Sequence, residues 1–272
     1  MPTTYTHYRF GKDVLLNLPD QLRKTAEDKR ELFDIGLHGP DILFYYYPVC
    51  YNHVNQTGVK LHKKPAYDFF EHAAKIINKK KHNVSGEAYI FGFICHYALD
   101  SVCHKYIEKI IEVSGIGHSE IEMELDRRLM EKDGLDPLTY VPVHHILPLK
   151  KSAYVIAPFF EGIKPEEVLQ SLKGMRWALK QLMPLNKIKD VIVRSALKIA
   201  GLESKYGLFM SHERNKKCDP YCSILEEKYN ECISFAVKLI CGYKEYLEGK
   251  ENLSLEFNDT FSCGDNWRDI QL

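Results

Sequence analysis

The stretch that decides the fold is "GEAYIFGFICHYALDSVCHKYIEKIIEVSG", residues 86–115. It begins and ends at glycine, and its length and apolar periodicity predict one long helix that stops near Ser114 and Gly115. Between Ala88 and Leu99, apolar residues occupy nearly every face, which is typical of a helix buried inside a bundle. We therefore expect this helix to form the centre of the protein.

The other periodic segments of the chain also predict helices, and the alternation of apolar and polar residues that marks strands is nearly absent. The predicted helical segments are 64–81, 117–132, 164–182, 187–201 and 222–249. Pro65 would stand at an early position of the first of these helices, where proline is tolerated. The fold class predicted from this pattern is all-α, a multi-helix bundle formed by a single domain of residues 1–272.

Two regions carry no clear helical period. Residues 36–62, rich in Gly, Pro and Asn, predict an ordered loop or a short helix between the first helices. The tail "SLEFNDTFSCGDNWRDIQL" is too irregular to assign.

Composition limits the classes of partner and location. Lys plus Arg and Asp plus Glu both number 37, so the net charge of zero favours neither nucleic acid nor an anionic membrane. No segment approaches the ~20 apolar residues of a transmembrane span. The N-terminal sequence "MPTTYTHYRFGKDVLLNLPDQ" lacks the apolar run of a signal peptide, so we expect a cytoplasmic protein with reduced cysteines. Nothing in the sequence predicts the oligomeric state.

An ionisable stripe lies inside the central apolar stretch. His96, Asp100 and His104 follow one another at four-residue steps, so their side chains share one face of the predicted helix. A buried carboxylate or imidazole without a partner costs several kcal/mol, roughly, and a cation is the partner that uses both groups together. Imidazole and carboxylate donors without thiolate suit Zn²⁺ first, with Fe or Mn as alternatives.

A second ionisable pair follows shortly afterwards. His118 and Glu122 in "GHSEIEMELD" are again four residues apart, on a helix predicted to run antiparallel to the first. Two such pairs on adjacent helices converge as the ligands of di-metal helix bundles do. Nine of the twelve histidines precede residue 122, which agrees with a site built from the N-terminal half. Asp126, beside Arg127 and Arg128, is expected on a solvated face.

The motifs "HYALDSVCH", "HSEIE" and "GPD" and a histidine near the N-terminus resemble, in their combination, the zinc-dependent phospholipase C family. The resemblance covers about the first half of the chain. It implies an all-helical fold with clustered zinc ions, shared with the related single-strand-specific nucleases. It also implies a metal-dependent hydrolase of phosphate esters.

The resemblance assigns roles to the residues of the two helices. His96 and Asp100 correspond to metal ligands, and Asp100 would bridge two zinc ions. His104 would join His118 and Glu122 around another zinc ion.

The resemblance also implies ligands outside these helices. Asp41 would bind zinc and orient or deprotonate the attacking water. His62 in "VKLHKKP" is the first choice for the same ion and His53 in "YNHVN" the second, because spacing does not decide between them. The near-terminal histidine is His7. Together these residues imply two or three zinc ions.

Exported family members expose a tryptophan at the mature N-terminus, whose amino and carbonyl groups bind zinc. This chain starts "MPTTYTH", so either the terminal amine of Met1 or Pro2 would take its place beside His7, or His7 with a water would complete that shell.

Three functions fit these expectations. The preferred one is a phospholipase C-like phosphodiesterase whose substrate is a phosphate ester, with phospholipid as the family's example. A single-strand nuclease-like phosphodiesterase on the same fold is the nearest alternative, and a non-enzymatic metal-binding protein is the other. Nucleic acid is the less favoured substrate, because "FYYYP" offers aromatic rings without adjacent Lys or Arg.

Overall fold

The computed structural model describes residues 4–48, 50–80, 83–183, 207–264 and 266–272, with positions 186, 191–193, 195, 198 and 199. Within these residues every extended regular element is a helix, and the single β-bridge joins Pro65 to Thr260. The all-α prediction is therefore confirmed. The α-helices are α1 Thr4–Asn17, α2 Asp20–Asp28, α3 Arg30–Gly36, α4 His53–Lys63, α5 Tyr67–Asn78, α6 Val84–Ser114, α7 His118–Lys132, α8 Lys150–Ile156, α9 Pro165–Gln181 and α10 Asp219–Leu247. Short 3₁₀ helices lie at Gly39–Tyr45, Ala157–Phe159, Lys216–Cys218, Leu255–Asn258 and Asn266–Asp269.

Helix α6 is the central element, as the sequence predicted. All of its residues from Gly86 to Ser101 are buried. The side chain of Asn83 caps the start by accepting a hydrogen bond from the Gly86 amide at 3.1 Å. Gly115, with φ of 70°, ends the helix in the left-handed conformation that glycine adopts without strain.

Close helix packing brings the segment after α3 against α6. Gly36 of α3 and Gly92 of α6 face each other so closely that a Cβ on either would overlap the backbone of the opposite helix. The absence of these side chains lets the 3₁₀ helix Gly39–Tyr45, which follows α3, lie beside the ionisable stripe of α6.

The start of α5 differs from the sequence prediction, the region 36–62 agrees with the short-helix alternative, and one predicted helix lies mostly outside the described residues. Pro65 is not in a helix: it pairs with Thr260 in the β-bridge, and α5 begins at Tyr67. The region 36–62 contains α4 as well as the 3₁₀ helix, because the Asn52 side chain accepts a hydrogen bond from an amide of the first turn of α4 at 2.9 Å. The helix predicted at 187–201 falls mostly outside the described residues.

The C-terminal segment 254–264 runs across α6. The Tyr97 hydroxyl donates to the Glu256 carbonyl, Lys105 pairs with Asp259, and Phe261 is fully buried. Among the described residues, no helix combines the length and apolar character needed to cross a membrane.

Candidate metal centre

The eight residues predicted as ligands lie on α6 and on four other elements that meet beside it. They form three groups in which one ligand atom of each residue lies within 4.8 Å of the others. The groups are His7, His96 and Asp100; Asp41, His62 and His96; and His104, His118 and Glu122. We call the first two the inner groups, because they share His96, and the third the outer group.

Asp100 stands between histidines from different helices. Its Oδ1 lies 3.2 Å from Nε2 of His7 on α1, and its Oδ2 lies 3.1 Å from Nε2 of His96. Nδ1 of His104 lies 3.8 Å from the same Oδ2. This placement gives Asp100 one oxygen that faces His7 of α1 and one that faces His96 and His104 of α6.

Backbone carbonyls fix the orientation of three of the imidazole rings. Nδ1 of His62, His96 and His104 lies 2.8, 3.3 and 2.7 Å from a carbonyl oxygen. The carbonyls belong, in that order, to Gly58, Leu37 and Phe261. A carbonyl only accepts, so this geometry assigns a ring proton to Nδ1, and in the neutral imidazole Nε2 is then bare. Metal-binding histidines are oriented in the same way.

The bare nitrogens face carboxylate oxygens. Nε2 of His62 lies 3.0 Å from Oδ1 of Asp41, and Nε2 of His104 lies 3.5 Å from Oε1 of Glu122. Nε2 of His96 is buried without a hydrogen-bond partner. Lone pairs that face each other in a buried site repel unless a cation lies between them. A nitrogen and oxygen donor set of this kind fits zinc.

Electrostatics in the centre keep the carboxyl groups ionised. Burial raises the pKa of Asp41 and Asp100, but the nearby histidines outweigh it and hold both pKa values below their ordinary range. The pKa of Glu122 is likewise lowered despite its burial. Burial lowers the pKa of His104, yet Asp100 and Glu122 together raise it to about 9. The centre therefore stabilises positive charge.

Gly39 makes room for the His96 ring. It has a φ of 48°, in the left-handed region, and a Cβ there would overlap the imidazole. The "GPD" motif thus places Asp41 two residues beyond the point where the backbone touches a candidate ligand. No other residue type combines this φ with so close an approach at low cost.

Asp126 is not on a solvated face, as the sequence suggested, but buried with 2% of its surface exposed. Its carboxylate accepts hydrogen bonds from the amides of Tyr5 and Thr6, at 3.2 and 2.9 Å, in the first turn of α1. It therefore caps the helix that carries His7. The prediction was wrong because the adjacent arginines do not indicate a solvated face here: Arg127 contacts Ser211 and Glu124, and Arg128 contacts Glu226.

Glu108 is a residue of the centre that the sequence analysis missed. Its Oε1 lies 3.5 Å from Nδ1 of His118, whose Nε2 lies 3.0 Å from Oε1 of Glu122. The sequence held a signal, because Glu108 continues the four-residue stripe of α6 one step beyond His104.

The ligand groups open onto a cavity of about 240 Å³. Its lining combines candidate ligands with apolar and polar side chains. The lining residues are His7, Asp41, Phe44, Val59, His62, Lys63, Asp100, His104, Glu108, His118, Ser262 and Cys263. A small polar ligand could therefore reach the centre from solvent.

The alternative ligand His53 lies apart from the three groups. Its side chain is 61% exposed, and its Nε2 lies 2.9 Å from Oε1 of Glu167. His62 is the histidine that the structure brings beside Asp41. Residues 1–3, on which the prediction of a terminal-amine ligand falls, lie outside the described residues.

The family described as zinc dependent phospholipase C matches residues 6–174. This range includes all eight candidate ligands and excludes α10 and the C-terminal segment. No curated protein and no solved structure gives a significant match to the chain. With more than half of its length matched, the chain belongs to the zinc dependent phospholipase C family, which implies a zinc-dependent, phospholipase-like hydrolase.

Proposed function

We propose that the protein is a phospholipase C-like phosphodiesterase that binds two or three zinc ions through the eight residues of the inner and outer groups. One observation carries the proposal. Bare imidazole nitrogens, oriented by backbone carbonyls, face buried carboxylates at 3.0 to 3.5 Å around a single cavity. Without cations, the buried nitrogen and oxygen lone pairs repel each other, and with cations the same atoms become metal ligands.

The residues divide the work of phosphodiester hydrolysis. Bound zinc would neutralise the phosphate oxygens and lower the pKa of an attacking water. Asp41, held by His62 and with a lowered pKa, is ionised at neutral pH and able to accept the proton of that water. Asp100 would hold His7 of α1 beside His96 of α6, because one of its oxygens faces each of these histidines.

The cavity favours a phosphate ester with a small head group over nucleic acid. Lys63 is the one Lys or Arg side chain among its lining residues. A channel for single-stranded nucleic acid needs a row of basic side chains beside stacking aromatic rings. The small volume and the candidate metal ligands in its lining instead suit one phosphate and a short substituent.

An assay panel tests the proposal. Protein of measured zinc content would be incubated with a soluble phosphocholine ester, phosphatidylcholine micelles, a phosphomonoester and single-stranded DNA. We expect cleavage of the phosphocholine substrates and loss of that activity on chelation. Cleavage of DNA alone would identify a nuclease, and zinc binding without any hydrolysis would identify a non-enzymatic metal protein.

Asp41→Asn separates catalysis from zinc binding in the same assay. We expect turnover to fall by ~10²-fold or more, as for loss of a general base, while part of the zinc remains. Unchanged turnover would remove Asp41 from the catalytic role.

A further inference from the structure

A segment without charged side chains borders the cavity. Residues 42–59 contain no Asp, Glu, Lys or Arg, although 27% of the whole chain is charged. Phe44 and Val59, near its two ends, both line the cavity. None of the described residues between Phe44 and Val59 lines the cavity, so this part of the segment lies beyond the rim.

One part of this segment, residues 46–48 and 50–52, exposes aromatic side chains; we call it the tyrosine loop. Tyr47 is 54% exposed and Tyr51 is 88% exposed. Exposed aromatic side chains that occur together beside a binding site often mark a contact surface. Tyrosine suits the boundary between lipid and water, because its ring is apolar and its hydroxyl is polar.

Hydrogen bonds among its own residues support the conformation of the tyrosine loop. The Cys50 amide donates to the Tyr47 carbonyl at 2.9 Å, and the Asn52 side chain donates to the carbonyls of Tyr46 and Cys50, both at 2.9 Å. Among the described residues, Tyr47 is the only one other than glycine with positive φ, at 45°. A strained backbone that presents an exposed ring agrees with a functional constraint.

Lysine side chains lie at the other end of the same rim. Lys60, Lys63 and Lys64 are exposed at the C-terminal end of α4, directly after the charge-free segment, and Lys63 lines the cavity. Ammonium groups at this position can pair with lipid phosphates while the aromatic rings enter the interface.

We propose that the tyrosine loop docks on a phospholipid surface and delivers the cavity to lipid head groups. This inference rests on the proposed function, because it supplies the way in which a phospholipid substrate would reach the centre. Aromatic rings, the lack of charge and flanking lysines together favour a lipid surface over a protein partner, whose interface would include polar pairing groups.

The test compares lipid surfaces with a dissolved substrate. Tyr47→Ser/Tyr51→Ser would be measured for flotation with phosphatidylcholine vesicles, for activity on those vesicles, and for activity on a water-soluble phosphocholine ester. We expect vesicle binding and vesicle activity to fall by about tenfold or more, with less than about a twofold change on the soluble ester. Tyr154→Ser on α8 is the matched control, because this tyrosine is 62% exposed. It should change neither vesicle flotation nor activity on vesicles or on the soluble ester.

The possible results separate this proposal from the proposed function. Vesicle flotation does not need catalysis, so wild-type flotation that the double variant loses supports docking even if no ester is cleaved. Equal losses on vesicles and on the soluble ester would overturn docking, because the loop would then act on the centre itself. Unchanged flotation, or a change of oligomeric state without loss of flotation, would also overturn it.

Discussion

The inner and outer groups of the candidate metal centre differ in their contact with water. In the inner groups His96 is fully buried, and Asp100 and Asp41 are 6% and 7% exposed. In the outer group the His118 side chain is 36% exposed, and its second nitrogen faces the partly exposed carboxylate of Glu108. The inner groups are therefore buried within the fold, whereas the outer group is partly exposed to solvent.

The comparison shows which part of the centre depends most on a cation. Water can hydrate His118 and Glu108 when no ion is bound, so an empty outer group costs little. The inner carboxylates and imidazoles are more deeply buried and less hydrated, so their mutual repulsion must be relieved mainly by an ion or by protons. We therefore expect a chelator to remove an outer ion before the inner ones, and folding to depend on the inner ones.

Asp100→Asn should give the largest effect, because Asp100 faces both His7 and His96 and an amide is neutral. We expect loss of at least one zinc equivalent, a fall in activity of more than ~10²-fold, and a lower melting temperature, since binding to a folded-only site is also folding energy. Elemental analysis and thermal unfolding measure these changes. Glu122→Gln changes a residue of the outer group alone and should lower the melting temperature less than Asp100→Asn does. Equal changes in the two variants would contradict the proposed difference between the inner and outer groups.

Gly39→Ala tests whether the inner groups need the close approach of backbone to His96. The added methyl group meets the ring and also occupies the left-handed region, which costs about 1–2 kcal/mol for the conformation and about 1–3 kcal/mol for the overlap. Denaturant unfolding measures the total. Gly134→Ala, at φ of 72° with nothing near the new Cβ, should show the conformational cost alone. Similar losses in both would show that the His96 contact does not matter.

The pH dependence of the metal-free protein tests the outer group. Because the folded pKa of His104 is raised from 6.5 to about 9, its protonation stabilises the metal-free protein below pH 6.5, and this contribution disappears as pH rises through 9. Zinc requires neutral His104, so stabilisation by zinc should grow across the same window. Urea unfolding at several pH values, with and without zinc, measures the difference in unfolding free energy between the zinc-bound and the metal-free protein. If this difference became smaller as pH rises, His104 would not be a zinc ligand.

Glu108→Gln should give the smallest effect. Losing the carboxylate that faces His118 should weaken binding of the outer ion by about tenfold, as for other groups that orient a ligand, and leave the inner ions in place. Zinc titration by calorimetry measures this, with Glu112→Gln on the exposed face of α6 as control. A loss of inner zinc would show that the groups are not separable.

Much of this arrangement could be predicted from the sequence. The four-residue spacing of His96, Asp100 and His104 in an apolar helix fixes a shared face, whatever the rest of the fold does. Asp41 and His62 came from resemblance alone, since no local pattern places a 3₁₀ helix against α6. That contact depends on the paired glycines Gly36 and Gly92, whose packing partners lie far apart in sequence.

The predictions that missed concern long-range partners. Asp126 looked solvated because its neighbours are charged, but it caps a helix 120 residues earlier in the chain. Pro65 looked like a helix start, but its backbone pairs with the C-terminal segment. Local patterns report periodicity and propensity, and they do not report which distant backbone groups lack a partner.

The hydrogen bond from His104 to the Phe261 carbonyl sets an order for assembly during synthesis. The two residues are 157 positions apart, so at ~5–20 residues per second the ribosome needs roughly 8 to 30 s to make the acceptor after the donor. During that interval α6 and the inner ligands exist without the group that orients His104. The outer group therefore acquires its final geometry only after residue 261 has left the ribosome.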